Sequence, residues 1–349
     1  MLPGHATAAA TARYAGRFRA HQEVGFYRTA QLLTVSNVGI GTYLGEMDEA
    51  TDRGYAEAVG AALAAGVNFI DTSLNYRNQR SERSIGTALS EAMGAGYVQR
   101  DEVVICTKAG YLVPDAVPAG AMTARDVVGG MHSIAPAFLA DQLGRSRQNL
   151  GIETIDVFYL HNPETQLSYL GQDEFYERIH QAFMFLEQAV RQGGIQFYGT
   201  ATWEGFRKPP QAPGALFLDR LASIARDAGG DQHHFRFIQL PLNLAMPEAF
   251  GNRVDDASVL DLATRLGITA VASASLLQSR LARNLPGEIR EKLPGVRTDA
   301  QCAIQFVRST PGITVALVGM SDEDHVRENL ELAGIPAVTE EQYLSLYKT

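Results

Sequence analysis

A chain of 349 residues, 46% of them hydrophobic, can bury a sizeable core, and its net charge of −9 argues against nucleic acid or an anionic membrane as main partner. No run of about 18 apolar residues is present to span a bilayer. Cys106 and Cys302 have no neighbouring cysteine, which excludes a zinc ribbon, a redox pair or a disulfide framework and fits a reducing cytoplasm.

Residues 1–26 are rich in alanine and arginine, with no acid before Glu23 and no serine before Ser36. They lack the apolar stretch of a secretory signal and read as a loosely ordered arm. From residue 27 to 349 the pattern is that of one barrel domain. Short β-branched runs alternate with helical segments, eight times over. The strand candidates are 36–42, 67–71, 103–108, 155–161, 195–200, 235–240, 268–273 and 313–319. Most are near-continuous apolar runs, as parallel strands covered on both faces require.

Between them lie helices at 52–66, with Gly66 as its stop, and at 81–93, with Ser81 as N-cap and Glu82 in the first turn. Further helices are expected near 136–150, 174–193, 215–229, 256–267, 299–309 and 322–333, with an extra one near 340–347. Eight βα units in one chain predict a closed (β/α)8 TIM barrel. Extra length after the third, fourth and seventh strands falls in βα loops, the face on which such barrels carry their sites. The loop 109–135 is therefore either a lid or a plain surface excursion.

The stretch GIGTYLG, with Gly39, Gly41 and Gly45, is nearly a dinucleotide fingerprint. Its third glycine comes one place late, and Asp71 lies well beyond the roughly 20-residue offset of a ribose-binding acid. A Rossmann domain is therefore not expected. The pair His233–His234 precedes the sixth strand, at the expected barrel floor, and is not read as a metal site.

Three adjacent strands each end in an ionisable residue: Asp71, Lys108 and His161, with Tyr76 in the loop after the first. Singly, each is as readily a turn cap or a solvated strand end. Together they suit carbonyl chemistry. A phenol has an ordinary pKa near 10, and a neighbouring ammonium favours the phenolate. A buried lysine needs a carboxylate partner. A histidine can orient a carbonyl oxygen or relay a proton.

FIDTSLNYRNQRSERSIGTAL, VVICTKAG and SRQNLGIETIDVFYLHNPE, in that order, resemble the aldo-keto reductases over about residues 27 to 333. The resemblance implies a catalytic tetrad of Asp71, Tyr76, Lys108 and His161, with Tyr76 as general acid in reversible reduction of an aldehyde or ketone. It implies NADP(H) as cofactor, NAD(H) being the alternative, bound across the barrel mouth. The implied cofactor contacts are Gly41, Thr42, Asp71, Thr202, Gln239, Ser273 and Leu276, with Gly319, Met320, Ser321, His325, Glu328 and Asn329 near the adenosine end. Leu242 stands where many members have a tyrosine that stacks on the nicotinamide. Asp322, Glu323 and Asp324 work against a 2′-phosphate, with His325 and Arg327 the nearby cations. Tyr43, Tyr111 and Trp203 are the candidate substrate-binding residues, and no metal is needed. A cofactor-binding regulatory subunit of the potassium-channel β type and a tetrad-dependent dehydratase or isomerase are the alternatives. Oligomeric state is left open.

Overall fold

The structure, a computed structural model, describes residues 1–117 and 122–347. A hairpin of β1 (Tyr27–Ala30) and β2 (Leu33–Ser36) precedes the barrel strands. These are β3 (Val38–Gly41), β4 (Phe69–Asp71), β5 (Val104–Ala109), β6 (Ile155–His161), β7 (Ile195–Ala201), β8 (Phe235–Pro241), β9 (Thr269–Ser273) and β10 (Ile313–Gly319). Each pairs in parallel with the next, and β10 closes on β3, which makes the expected eight-stranded barrel.

Helices surround it because the connecting segments carry start and stop signals. Asp48 caps Glu49–Ala64 through the Thr51 amide, and Gly66 beyond its end takes φ +98°. Pro136 opens Pro136–Leu150, and Gly151 closes it in the left-handed region. Thr298 caps Asp299–Ser309. The core has two layers. One fills the space between strands and helices, with Ile70, Ile105, Phe158, Leu160 and Ile238 facing Leu89, Phe138 and Phe183. The other fills the bore, where Phe69, Cys106, Tyr159, Phe237 and Val315 meet Leu33 and Val35 of the hairpin. The hairpin thus plugs the barrel floor.

Two expectations change. Residues 1–26 are not loose: they carry helices Ala8–Ala15 and Arg19–Glu23, with Ala6, Ala10, Tyr14, Ala15 and Phe26 buried. Tyr14 Oη donates to the carbonyls of Leu63 and Val67, which ties this segment to the floor. Ser81 is not the N-cap of its helix. The helix Arg80–Gly94 starts after Gln79, and the buried Ser81 hydroxyl donates 2.7 Å to the Thr42 carbonyl. Glu82 stands in the first turn as expected, and it is buried between Thr107 Oγ1 (2.7 Å) and Asn149 Nδ2 (2.8 Å), where burial raises its carboxyl above the ordinary range.

Candidate active site

Strand alternation decides which side chains reach the barrel mouth. Phe69, Cys106, Tyr159 and Phe237 point into the bore, so the residues two further on point the same way, one layer higher. Those residues are Asp71, Lys108, His161 and Gln239. All four are buried, and all but Lys108 line a cavity of about 370 Å³ at the C-terminal end of the barrel.

Lys108 Nζ lies 2.5 Å from Asp71 Oδ2 and donates 2.7 Å to the Thr72 carbonyl. Gln239 Nε2 donates 2.8 Å to the other oxygen, Asp71 Oδ1. Asp71 is therefore not a turn cap: both of its oxygens are taken by side chains from other strands. Lys108 Nζ also sits 4.9 Å from the centroid of the Tyr76 ring, close enough for its charge to act on the phenol. Tyr76 reaches this place through a sharp loop, in which Arg77, Asn78 and Gln79 all take positive φ of 48°, 53° and 71°. Arg77 is held by Asp52 at 2.5 Å. The five-residue gap from Asp71 to Tyr76 thus folds the phenol back over the mouth.

Burial is the largest influence on the titration of these groups. It raises the Tyr76 phenol above its ordinary value, and the Lys108 charge only partly opposes it. Burial also raises the Asp71 carboxyl, against Lys108 and Gln239. For Lys108 burial acts downward, but Asp71 and Tyr76 outweigh it and hold the ammonium above its ordinary value. His161 is driven well below its ordinary value by burial, then by Lys108 and His132, so the ring is neutral at pH 7. Lys108 lowers the phenol as expected, but burial outweighs it, so on balance the phenol keeps its proton.

His161 faces Tyr76 edge-on, with ring centroids 5.8 Å apart. Its Nδ1 lies 3.1 Å from Ser73 Oγ and 3.2 Å from Asn75 Oδ1, which fixes the ring and turns its other nitrogen towards the mouth. A small molecule in the cavity would meet a proton donor and a neutral imidazole side by side, backed by an ammonium.

A family model described as the aldo/keto reductase family matches residues 37–347. The chain belongs to the aldo/keto reductase family. Among its relatives is D-threo-aldose 1-dehydrogenase of a Pseudomonas species, 25% identical over 307 residues, covering 79% of this chain and 82% of that one. Another is 6-dehydroglucose reductase of Novosphingobium aromaticivorans, 25% identical over 314 residues and covering 86% of each. An aldo/keto reductase of Klebsiella pneumoniae, solved with NADP and acetate, shares the fold at a TM-score of 0.63 and 20% identity, over 91% of this chain and 93% of that one.

Of the cofactor residues expected for an aldo/keto reductase, Gly41, Thr42, Asp71, Thr202, Gln239, Ser273, Leu276 and Gly319 line the same cavity. Gly319, Gly41 and Asp71 are brought together by strand register, each opposite the next. Gln239 is committed by its amide N–H to Asp71, which leaves its oxygen for a ligand. Met320 is turned into the core instead, and Leu242 is fully buried. Ser321 and His325 are exposed beyond the cavity, Glu328 is half-buried, and Asn329 is buried. His325 and Arg327 are each paired within their own helix, to Asp322 at 2.8 Å and Asp324 at 2.7 Å. Two polar atoms fit a further partner: Ser275 Oγ in the cavity wall and Asn329 Oδ1 are buried with no protein hydrogen bond. The substrate candidates Tyr43, Tyr111 and Trp203 all line the cavity.

Several site residues went unread in the sequence. Glu164, three places after His161, accepts from the amides of Trp203 (2.7 Å), Glu204 (3.0 Å) and Gly205 (3.3 Å) and so sets the loop that carries Trp203. The HNPE run was its only local signal. Ser73, Asn75, His132 and Gln166 had none. At the floor, His234 pairs with Glu187 at 2.9 Å, and among the described residues no group of three or more His, Cys, Asp or Glu side chains could hold a metal. Also among the described residues, no helix is long and apolar enough to cross a membrane.

Proposed function

We propose that this aldo/keto reductase is an NADP(H)-dependent enzyme that reversibly reduces a neutral aldehyde or ketone, with Tyr76 as proton donor. The observation that carries the reading is the Tyr76 phenol beside Lys108, itself locked to Asp71, in one cavity with a neutral His161. A bound reduced nicotinamide supplies the hydride for the carbonyl carbon. Tyr76 gives its proton to the carbonyl oxygen, and Lys108 stabilises the phenolate that remains. Asp71 keeps the lysine charged and in place. His161 orients the substrate oxygen by a hydrogen bond and is not the proton source, because it is neutral.

The cofactor assignment is supported by the NADP bound to the Klebsiella relative, and by the unpartnered Ser275 and Asn329 atoms on the expected side. Gly41, Thr42, Thr202, Gln239, Ser273, Leu276 and Gly319 would hold the nicotinamide half. Ser321, His325, Glu328 and Asn329 would meet the adenosine half. Asp71 is the only charged side chain in the described wall beside the neutral His161. Aromatic faces from Tyr43, Tyr111 and Trp203 and the amide of Asn162 complete that wall. Such a surface suits a neutral, hydroxylated carbonyl compound better than a carboxylate-bearing one. The two sugar-acting relatives support the same class.

The test is Tyr76→Phe, assayed by NADPH oxidation with a panel of neutral and anionic aldehydes, beside fluorescence titration of NADPH and NADH. Reduction should fall by about 10²–10⁴-fold with NADPH binding kept. Full turnover in the variant, or failure of the wild type to bind either nucleotide, would sink the proposal.

A further inference from the structure

The loop after β5 is tied to the catalytic imidazole by a directional chain of donors. Arg178 is fixed by Glu174 Oε1 (2.8 Å) and the Arg125 carbonyl (2.8 Å), and donates 3.2 Å to Gln166 Oε1. That contact decides which end of the Gln166 amide is oxygen. Gln166 Nε2 therefore donates to His132 Nδ1, at 3.1 Å. With Nδ1 accepting, the proton of the neutral His132 ring sits on Nε2, which donates 2.7 Å to the carbonyl oxygen of His161. His132 is fully buried, and burial lowers it to about 4, so this tautomer holds across neutral pH.

The packing around this bond is tight. The Tyr111 ring stands edge-on between the two imidazoles, 5.2 Å from each centroid. Asn162, in the left-handed region at φ 46°, donates 3.0 Å to the Tyr111 hydroxyl. A Cβ on Gly110 would lie 2.4 Å from the His161 carbonyl oxygen and 2.8 Å from His132 Nε2, so only glycine admits this approach. Bridges from His132 to Tyr111 and to Val128 fasten both ends of the loop to the same point.

We infer that His132 is a positioning residue for the reaction: its bond to the His161 carbonyl makes the segments 110–111 and 128–133, the Tyr111 wall and the catalytic imidazole one unit. Binding of a substrate against Tyr111 and alignment of His161 are then a single event.

This inference rests on the reductase reading for its kinetics, so the experiment carries one arm that does not. His132→Phe keeps the ring volume without the donor, and His132→Gln returns an N–H in place of Nε2–H. The Phe variant should lose about 10- to 100-fold in kcat, with a several-fold rise in KM for the carbonyl and nucleotide affinity within twofold of wild type. The Gln variant should recover most of the loss. Independently of turnover, the His161 ring resonances in a nitrogen-correlated NMR spectrum should be sharp in the wild type and the Gln variant, and broadened in the Phe variant. Unchanged kcat and KM in His132→Phe would overturn the inference, as would no rescue by Gln, or a sharp unshifted His161 signal in the Phe variant. Absence of turnover in the wild type would overturn the reductase reading alone, and the NMR arm would still decide the role of His132.

Discussion

Asp71, Lys108, Gln239 and Tyr76 work as one charge arrangement, and each can be changed singly. Removing one partner of a buried ion pair typically costs about 3–5 kcal/mol, because the other charge is left uncompensated. Asp71→Asn should therefore lower stability by that order and leave Lys108 without the charge that holds its proton. Equilibrium denaturation beside kcat checks it, and a variant of wild-type stability would contradict the pairing. Tyr76 gives a second prediction, in pH. Its phenol is raised above its ordinary value near 10, so it remains protonated from about pH 6 to 9. Reduction, which needs the proton, should be flat over that range and decline only in stronger alkali. Alcohol oxidation, which needs the phenolate, should rise with pH throughout. Lys108→Met removes the charge that opposes burial, so the oxidation limb should move further to the alkaline side. A reduction rate that falls with a midpoint near 7 would exclude Tyr76 as the donor.

At the scale of elements, the barrel strands were legible because parallel strands buried on both faces are continuous apolar runs; β6 and β10 match their expected limits, and the others are off by one or two residues at one end or both. The hairpin β1–β2 was not. Its turn is made by Gln31 and Leu32, both at positive φ (49° and 71°), and not by the asparagine or glycine that usually betrays such a turn. Leu32 is 80% exposed, so its side chain contributes little against a backbone cost of about 1–2 kcal/mol. Leu32→Gly should raise stability by roughly 0.5–1 kcal/mol, and a loss in urea denaturation would refute that account. The 110–133 loop yields a pH prediction. His132 is lowered from 6.5 to about 4 by burial, so the folded state resists its protonation while the unfolded state accepts it. Its contribution is fully present above pH 6.5 and is lost as the pH falls towards 4, a difference of about 3 kcal/mol. His132→Gln lacks that titration, so its denaturation midpoint should fall less steeply than the wild type's between those values.

In the whole molecule the barrel separates its two ends. The mouth carries Asp71, Tyr76, Lys108 and His161, and their ionisable side chains at successive strand ends made that end readable. Gln239 on Asp71, Glu164 under the Trp203 loop and His132 on His161 were unreadable, because each joins segments distant in sequence and belongs to no periodic pattern. The floor was misread for a related reason. The N-terminal stretch is alanine-rich, and what orders it lies elsewhere: Asp156 Oδ1 accepts from the Ala6 amide at 2.7 Å, while Oδ2 takes Arg100 Nη2 and the Ile105 amide, both at 2.8 Å. Arg13 and Arg17 add ion pairs to the buried Glu102. Asp156 is thus a floor counterpart of Asp71, with a structural duty only. Asp156→Asn leaves Arg100 buried without its carboxylate and should cost about 3–5 kcal/mol. Tyr14→Phe, which removes one hydroxyl shared between two carbonyls, should cost about 1 kcal/mol. Because Asp156 and Tyr14 lie at the opposite end of the barrel from the mouth, kcat per folded molecule should stay at the wild-type level in both variants. Denaturation midpoints and active-site-titrated turnover, measured on the same samples, separate the two quantities. A fall in kcat that tracks the lost stability would show that the floor sets the geometry of the mouth, and the division of labour between Asp156 and Asp71 would not hold.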